Sequence, residues 1–331
     1  MADSKPVSPM DGVSFPKRAS IFSSTEIGVA AESTAPFSND ILGTFSCHGI
    51  EPEYGDDDEE IGVIQKINQD RGCVVYPFNR SRAQALFMVM DGHGSEGNRV
   101  SEHVMRKVCL VLELMCSNPT ELVDPVACFK RACLQVDREL KDTDMKYKTS
   151  GTTLIAIYTM GQRYWVACVG DSRAVLARSV DNQLVAVDLS VDQKPSIAAE
   201  RERILKSGGF VGDPDEDGLS SRVYLDEACT RVGLAVSRSI GDHVVKGVGV
   251  IAEPEVAEYT LEENDKFYIL ASDGVWEFIS SQEAVDVVSK HISKGAEVAC
   301  QILIERATAK WQEEEGDYRD DVSPIILWLS F

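Results

Sequence analysis

The chain has 331 residues, of which 44% are hydrophobic, enough to bury one large core or two modest ones. Aspartate and glutamate together number 54 against 33 lysines and arginines, which gives a formal net charge of -21. Such a surface repels nucleic acid and anionic lipid, and no apolar stretch reaches the roughly 18 residues of a membrane span, so we expect neither nucleic acid nor membrane as a partner.

The first segment, residues 1–40, is rich in Ser, Pro, Ala and Thr and has few large apolar side chains. Such a composition cannot bury enough surface to offset the entropy of ordering, so it predicts a flexible N-terminal extension. The apolar patterning that follows predicts a folded domain over residues 41–331.

The first half of this domain combines strands with two helices. Residues 61–67 and 73–77 are predicted to be partner strands around a turn that contains Asp70. Residues 86–90 form an apolar run that is closed by Asp91-Gly92-His93-Gly94, which predicts a buried strand ending in a sharp turn. Apolar residues at helical spacing then predict helices at 98–116 and 124–140.

The second half begins with four short β-rich runs whose separators are short, which predicts consecutive antiparallel hairpins. These runs are residues 151–160, 164–169, 174–177 and 184–189. A polar helix at 196–207 and a polar, poorly periodic candidate flap at 210–235 follow. The remaining predictions are a hairpin of 256–261 with 266–271, helices at 281–292 and 295–312, and a final strand at 322–329.

This order of elements predicts an α+β fold with mostly antiparallel sheets and helices packed on the outside. The run from Leu154 to Tyr158 is apolar at every position, so the strand needs cover on both faces. A helix layer on one side and a second sheet on the other would supply that cover.

Several aspartates share one setting, the polar end of a predicted buried strand. Asp70, Asp91, Asp171 and Asp273 lie beside a glycine or another polar residue at such ends, and Asp320 comes just before the last strand. If the strands lie side by side, the carboxylates converge and repel, and a hard cation would relieve that repulsion. Oxygen ligands with few histidines favour Mg²⁺ or Mn²⁺ over zinc.

His93 is the one imidazole within this predicted group of carboxylates. It suits a general acid or a base that acts through a neighbouring group. The alternative is a histidine held in a purely structural hydrogen bond.

Six ordered motifs resemble those of the metal-dependent serine/threonine protein phosphatases of the protein phosphatase 2C family. They extend over residues 68 to 329, about four fifths of the chain. The matching segments are Met90–Gly94, Ser150–Thr153, Val169–Arg173, Leu234–Asp242, Ala271–Trp276 and Arg319–Asp321.

The resemblance implies a four-layer αββα sandwich, in which two antiparallel sheets are flanked by helix pairs. It implies two Mg²⁺ or Mn²⁺ ions and hydrolysis of phosphoserine and phosphothreonine by a metal-bridging water. By the same resemblance, His93 would protonate the leaving group. The core metal ligands implied are Asp70, Asp91, Asp273, Asp320 and the carbonyl of Gly92.

Two departures from the family pattern concern acidic positions. Gln69 precedes Asp70 where the family often has glutamate, and Glu277 stands where the family has a second aspartate. The resemblance implies a weaker third cation at Asp171, Asp273 and Glu277. The longer Glu277 side chain would make that outer ion weaker still.

A third departure concerns the substrate phosphate. Many relatives carry an arginine five residues before the first metal-binding aspartate, and here that position is Gln65, followed by Lys66. Adjacent side chains on a strand point to opposite faces, so Lys66 reaches the site only if the strand bulges or ends early. Lys66 as the phosphate-binding residue and Lys66 in solvent both remain open.

The sequence therefore predicts a monomeric phosphoprotein phosphatase. Nine cysteines without a C-x-x-C pair are typical of small buried side chains in a reducing compartment, which favours a cytoplasmic location with the nucleus as the alternative. Two competing hypotheses are a catalytically weak relative that binds phosphoproteins as a regulator, and an unrelated metallohydrolase of small phosphoesters.

Overall fold

The computed structural model describes residues 20–22, 37–55, 59–116, 124–214 and 220–329. Within them, two helices begin at side-chain caps: the Asp124 side chain accepts from the backbone of Val126, and Ser280 accepts from that of Glu283. The helices are α1 (Gly97–Cys116), α2 (Pro125–Glu139), α3 (Ala198–Lys206), α4 (His243–Lys246), α5 (Asp273–Trp276), α6 (Ser281–His291) and α7 (Ala296–Glu315). Short 3₁₀ turns follow α2 at Leu140–Asp142 and α6 at Ile292–Lys294.

The strands of the described residues are short and come in runs between these helices. The first ten are β1 (Ser20–Phe22), β2 (Leu42–Thr44), β3 (Ile50–Tyr54), β4 (Glu60–Gln65), β5 (Arg71–Val75), β6 (Gln84–Met90), β7 (Gly92–Gly94), β8 (Ser150–Thr152), β9 (Leu154–Met160) and β10 (Arg163–Val169). The others are β11 (Arg173–Val180), β12 (Gln183–Asp188), β13 (Phe210–Gly212), β14 (Arg222–Tyr224), β15 (Val232–Leu234), β16 (Ile240–Gly241), β17 (Glu255–Thr260), β18 (Asp265–Ala271) and β19 (Pro324–Trp328).

Two large sheets organise the domain. The first has the strand order β1-β5-β6-β9-β10-β17, and the second has the order β12-β11-β18-β19-β2. Apart from the parallel pair β1 and β5, every neighbouring pair in the two sheets is antiparallel.

The apolar strands are buried on both faces because each sheet lies between two layers. On β6, Leu86, Met88 and Met90 pack in the core beneath α1 and α2, whereas Phe87 and Val89 pack in the core between the sheets. A third core joins the second sheet to α6 and α7. The layer order is therefore helix, sheet, sheet, helix, which confirms the predicted αββα sandwich.

Two predicted hairpins are wrong, because the strands concerned belong to different sheets. β10 lies in the first sheet and β11 in the second, and the same holds for β17 and β18. A short separator after a buried strand permits either a return in the same sheet or a crossing to the sheet stacked on it. The outcome depends on packing distant in sequence.

The predicted pairing of strands 61–67 and 73–77 is also wrong. β4 pairs with β3, and β5 pairs with β6. The connecting residues do not close a hairpin: Gln69 donates its backbone N–H to the Asp321 side chain at 2.6 Å, which draws the chain toward the C-terminal segment.

The predicted polar flap, residues 210–235, contains the small sheet β13-β14-β15, although residues 215–219 lie outside the described part. Its partly buried side chains Val211, Leu225 and Leu234 pack on a core that includes Ile204 and Val245. Three-residue strands are too short to show a hydrophobic period, so sequence patterning does not predict them.

Most of the predicted flexible extension, residues 1–40, lies outside the described residues. The parts described are β1, which runs parallel to β5, and residues 37–40. The ring of Phe37 packs 5.0 Å from that of Tyr76.

Two further observations bear on the cysteine and membrane predictions. All nine cysteines are free, and all but the half-buried Cys229 are buried. In the described ranges, no helix has the length and apolar character needed to cross a membrane.

Candidate active site

Both sheets contribute aspartates to one end of the sandwich. In the first sheet Asp70 precedes β5 and Asp91 follows β6, and in the second sheet Asp273 follows β18 and Asp320 precedes β19. Asp171 lies in the crossing from β10 to β11. The fold thus brings the predicted carboxylates together from both sheets, and their charges influence one another's pKa values.

Asp70 is buried and only partly satisfied. Its Oδ2 atom accepts a hydrogen bond from Ser272 at 2.6 Å, whereas its Oδ1 atom has no hydrogen-bond partner among the described residues. Burial, reinforced by the nearby Asp321 carboxylate, raises the pKa of Asp70 to about 8.

Asp91 and Asp273 are neighbours, and each influences the pKa of the other. The surrounding protein desolvates both, and this raises the pKa of each carboxyl well above its ordinary value. The charge of Asp273 raises the pKa of Asp91 further, and Asp171 and Asp320 act in the same direction on Asp273. Asp273 Oδ1 is also buried without a hydrogen-bond partner in the described part of the chain.

These side chains do not form a finished metal cage. Nowhere in the described ranges do three His, Cys, Asp or Glu side chains meet as a complete metal-binding group, as expected of carboxylates that repel each other. Buried, unpaired carboxylate oxygens are nevertheless the donors that Mg²⁺ and Mn²⁺ prefer. The donor set therefore fits the predicted cations.

The turn after β6 is fixed by backbone contacts. Thr153 donates its backbone N–H to the carbonyl of Asp91 at 2.8 Å, and its hydroxyl accepts from the N–H of Asp91 at 3.0 Å. A Cβ atom at Gly92 would lie 2.5 Å from the carbonyl oxygen of Gly97 and 2.6 Å from that of Gln69. Only glycine fits there, which explains the sequence of this turn.

His93 is paired with Asp242. The Nε2 atom of His93 lies 2.6 Å from Asp242 Oδ2. Burial disfavours the charged ring, but the Asp242 carboxylate outweighs that effect and raises the pKa of His93. The same pair lowers the pKa of Asp242, although burial acts against it. The dyad thus favours the protonated imidazole.

A small sheet, β16-β8-β7, holds this dyad in place. His93 on β7 lies opposite Gly151 on β8. A Cβ atom at Gly151 would lie 2.1 Å from Asp242 Oδ2 and 2.8 Å from His93 Nε2, so a side chain at 151 would separate the pair. Asp242 itself adopts φ 49° and ψ 43°, a left-handed conformation that aspartate tolerates better than most residues.

Asp321 acts as a structural carboxylate beside the centre. Its Oδ2 atom accepts from the backbone of Gln69 at 2.6 Å and its Oδ1 atom accepts from the backbone of Gly49 at 2.5 Å. These bonds fix the residue before Asp70. Gln69 does not contribute a carboxylate; its amide donates to the carbonyl of Gly94 at 2.7 Å.

Lys66 lies at the edge of the centre because β4 ends at Gln65. Its Nζ atom donates to Asp320 Oδ1 at 3.0 Å and to the Tyr318 hydroxyl at 3.1 Å. Burial acts against the charged ammonium, but Asp320 and Tyr318 outweigh it and raise the pKa of Lys66. Gln65 is exposed. The geometry thus favours the hypothesis in which Lys66 reaches the site.

The predicted outer cation site contains a lysine. Lys194 Nζ lies 3.1 Å from Glu277 Oε2 and 3.8 Å from Asp171 Oδ2. Burial raises the pKa of Asp171 to about 6, although Lys194 lowers it. Gln193 places this lysine, because its side chain accepts from the backbone of Gly170 at 2.8 Å. A cation between these acids would have to share them with the ammonium.

Sequence reasoning gave no role to Asp242 or Lys194. Asp242 belongs to a segment that was matched to the family, but its partner His93 lies 149 residues away. Lys194 lies 83 residues from Glu277. No periodicity links such positions, so the only available signal was an ionisable residue beside a glycine or proline near the predicted strand ends.

Comparisons with known sequences find relatives over most of the chain. A family model described as "Protein phosphatase 2C" matches residues 62–316. The Arabidopsis thaliana protein named "Probable protein phosphatase 2C 35" is 35% identical over 282 residues, covering 80% of this chain and 79% of the relative. "Probable protein phosphatase 2C 64" of Oryza sativa subsp. japonica is 37% identical over 274 residues, covering 80% and 62%.

Solved structures share the fold at low sequence identity. A serine-threonine phosphatase 2C from Toxoplasma gondii superposes with a TM-score of 0.70 at 20% identity, covering 87% of this chain and 95% of that one. A sex determining protein of C. elegans gives a TM-score of 0.63 at 18% identity, covering 87% and 65%.

Proposed function

The chain belongs to the protein phosphatase 2C family, and on that premise we propose that it hydrolyses phosphoserine and phosphothreonine in proteins with Mg²⁺ or Mn²⁺ at its acidic centre. The observation that carries this proposal is the set of carboxylates that both sheets contribute, two of which keep a buried oxygen without a hydrogen-bond partner in the described ranges. A protein retains so costly an arrangement where it serves a ligand or a reaction.

The side chains of Asp70, Asp91, Asp273 and Asp320, with the carbonyl of Gly92, would hold two cations. When bound, divalent cations lower the pKa of a coordinated water and offset charge that develops on the phosphoryl oxygens. An outer ion at Asp171 and Glu277 would be weaker, because Lys194 already offsets part of their charge.

His93 would supply the proton for the leaving alkoxide of serine or threonine. The Asp242 carboxylate occupies Nε2, so the Nδ1–H is the bond that breaks as the alkoxide oxygen gains its proton. Asp242 acts through His93 by holding the ring and favouring its protonated form. Lys66, at the edge of the centre, would attract the substrate phosphate before hydrolysis.

The direct test measures phosphate release from a phosphoserine peptide. We expect turnover with added Mn²⁺ or Mg²⁺ and none in excess chelator. Full turnover in chelator would contradict the metal proposal. Tight binding of the peptide without turnover under any metal would instead support the regulator hypothesis.

A second test isolates the general acid by changing the leaving group. An aryl phosphate releases a weakly basic phenolate that needs little protonation, whereas a serine alkoxide needs a proton. His93→Asn should therefore lower phosphopeptide turnover by about a hundredfold or more and affect aryl phosphate much less. Asp242→Asn should show the same selectivity to a smaller extent. Equal losses on both substrates would contradict the general-acid role.

A further inference from the structure

A cavity of about 420 Å³ lies behind the His93–Asp242 dyad, lined by Asp137, Lys141, Tyr147, Lys148, His243 and Lys246. We call it the basic cavity. In a chain with a net charge of -21, three lysines and a histidine face a single carboxylate there. This local excess of positive charge is the opposite of the surface as a whole.

The one carboxylate of the basic cavity is already engaged. Asp137 Oδ1 accepts from the backbone of Gly241 at 2.9 Å and lies 3.5 Å from Lys246 Nζ. Lys246 also donates to the carbonyl of Ser239. Asp137 therefore balances Lys246 and leaves the charges of Lys141 and Lys148 uncompensated.

Those two lysines are exposed at the opening of the basic cavity. Neither forms an ion pair with a carboxylate in the part of the chain that the structure describes. Deeper in the cavity, His243 Nε2 is buried and lies 3.2 Å from Asp137 Oδ1, so the same carboxylate contacts both Lys246 and the imidazole. The Tyr147 ring packs edge-on against the His243 ring at 4.8 Å.

The backbone connects the basic cavity directly to the catalytic turn. His243 follows Asp242, and its N–H donates to the carbonyl of Tyr147 at 3.2 Å. Val244 donates in the same way to Lys148 at 3.0 Å. Two residues beyond Lys148, β8 begins and pairs with β7, which carries His93.

We propose that the basic cavity binds a phosphate group, so that this phosphatase carries a second anion site beside its catalytic centre. Lysine ammonium groups bind phosphate as point charges, and the volume suits a small anion or a phosphorylated side chain. The phosphate comes from one of two sources: a second phosphorylated residue of the substrate, or free inorganic phosphate. The first source rests on the proposed function, and the second does not.

The substrate source makes a geometric prediction. Because the cavity lies on one side of His93, the second phosphate should help on one side of the target residue only.

The first experiment measures binding of inorganic phosphate to the full chain in excess chelator. Without metal the acidic centre repels phosphate, so binding reports the basic cavity alone. We expect about one phosphate per chain, and at least tenfold weaker binding in the Lys141→Ala/Lys148→Ala double variant. Lys206→Ala/Lys290→Ala removes the same charge from exposed helix positions and should bind as wild type. No binding by the wild type, or equal binding by all three proteins, would overturn the proposal.

The second experiment identifies the source with singly and doubly phosphorylated peptides in Mn²⁺. If the substrate supplies the phosphate, the doubly phosphorylated peptide should have a KM about tenfold lower with unchanged kcat, and the Lys141→Ala/Lys148→Ala variant should lose that advantage. Equal KM values together with phosphate binding in chelator would assign the cavity to free phosphate. Failure to hydrolyse either peptide would contradict the proposed function and leave the binding result standing.

Discussion

Two groups of charged side chains in this domain differ in whether their carboxylates have partners of opposite charge. At the acidic centre, Asp70, Asp91 and Asp273 repel one another and have raised pKa values. Beneath the small sheet β13-β15, Glu200 is surrounded by partners. Arg238 Nη2 lies 2.6 Å from Glu200 Oε1, and this pair is one of several contacts to that carboxylate.

Both carboxylate oxygens of Glu200 have hydrogen-bond or ion-pair partners. Its Oε2 atom lies 2.8 Å from Arg203 Nη2 and accepts from the Ser237 hydroxyl at 2.6 Å. Although burial acts against it, these partners lower the pKa of Glu200 to about 2. Arg238 Nη2 also lies 2.8 Å from Glu255 Oε1. The network therefore joins α3 and β17 to the segment that precedes β16.

The contrast separates a region that stabilises the fold from a region that is suited to bind a ligand. A buried carboxylate with complete partners favours the folded state, and its loss leaves unpaired arginines. Buried carboxylates that face one another disfavour the folded state unless a ligand compensates them. Removing charge should therefore have opposite consequences in the two regions.

The largest expected effect is on catalysis at the acidic centre. Asp273→Asn should lower phosphopeptide turnover by more than about a hundredfold, because it removes a proposed metal ligand. The unfolding free energy of the metal-free protein should stay equal or rise, because one repelling charge is gone. Kinetics with Mn²⁺ and chemical denaturation in chelator measure the two effects.

Asp181→Asn is the matched control for that substitution. Asp181 is exposed in the turn between β11 and β12 at φ 50°, a conformation that asparagine also tolerates. It should change neither turnover nor stability. A clear loss of stability in Asp273→Asn alone would contradict the inference that the Asp273 charge destabilises the metal-free folded state.

The next effect is on stability at the paired network. Glu200→Gln should lower the unfolding free energy by about 2–3 kcal/mol, because Arg238 and Arg203 lose their common partner in a partly buried position. Glu202→Gln, on the exposed face of the same helix, should cost less than about 0.5 kcal/mol, since its bond to Lys206 is a surface ion pair. Equal losses of unfolding free energy in both variants would show that the network stabilises the fold no more than a surface ion pair does.

A third prediction uses pH to separate the regions in the metal-free protein. The raised pKa of Asp70 means that the native state holds a proton that the unfolded state has released, so stability falls as pH rises from about 4 toward 8, by up to about 1.4 kcal/mol per pH unit for one proton. The lowered pKa of Glu200 acts oppositely: its contribution is present above the unfolded value and is lost as pH falls toward 2.

Denaturation curves in chelator between pH 5 and pH 8 would test this, with Asp70→Asn as the comparison. That variant should flatten the decline between these values. A wild-type protein whose stability rises steadily from pH 5 to pH 8 would refute the sign that we assign to Asp70.

The smallest expected effect concerns Glu277. Shortening this side chain in Glu277→Asp withdraws the carboxylate from Lys194 Nζ, now 3.1 Å away, so the ammonium competes less with a cation. Activation by Mg²⁺ should then saturate at a metal concentration a few-fold lower. Superimposable activation curves for the two proteins would count against an outer cation that competes with Lys194.

The sequence predicted the layers and the placement of the acids, because both depend on local pattern. Apolar runs closed by Asp91-Gly92 or Asp273-Gly274 mark strand ends wherever the strands lie. It did not predict which strands pair. The separators after β10 and β17 are compatible with a hairpin or a crossing, and only the core between the sheets decides.

The same limit applies within the site. His93 could be singled out as a residue type in a motif, but its pairing with Asp242 depends on the pairing of β8 with both β7 and β16. The position of Lys66 at the edge of the centre follows from the end of β4 one residue before it, which the sequence pattern did not reveal. Contacts between distant positions are set by tertiary packing, which a local window does not contain.

The acidic centre draws on two sheets that pack against each other through the apolar core between them, where Phe87, Ile157 and Leu270 lie. That core acts as a spacer, since its thickness sets the separation of the two halves of the centre. Protein interiors are close-packed and transmit strain, and a displacement of about 1 Å at reacting groups can cost about a hundredfold in rate. Substitutions that change side-chain volume in this core should therefore lower turnover before they unfold the protein.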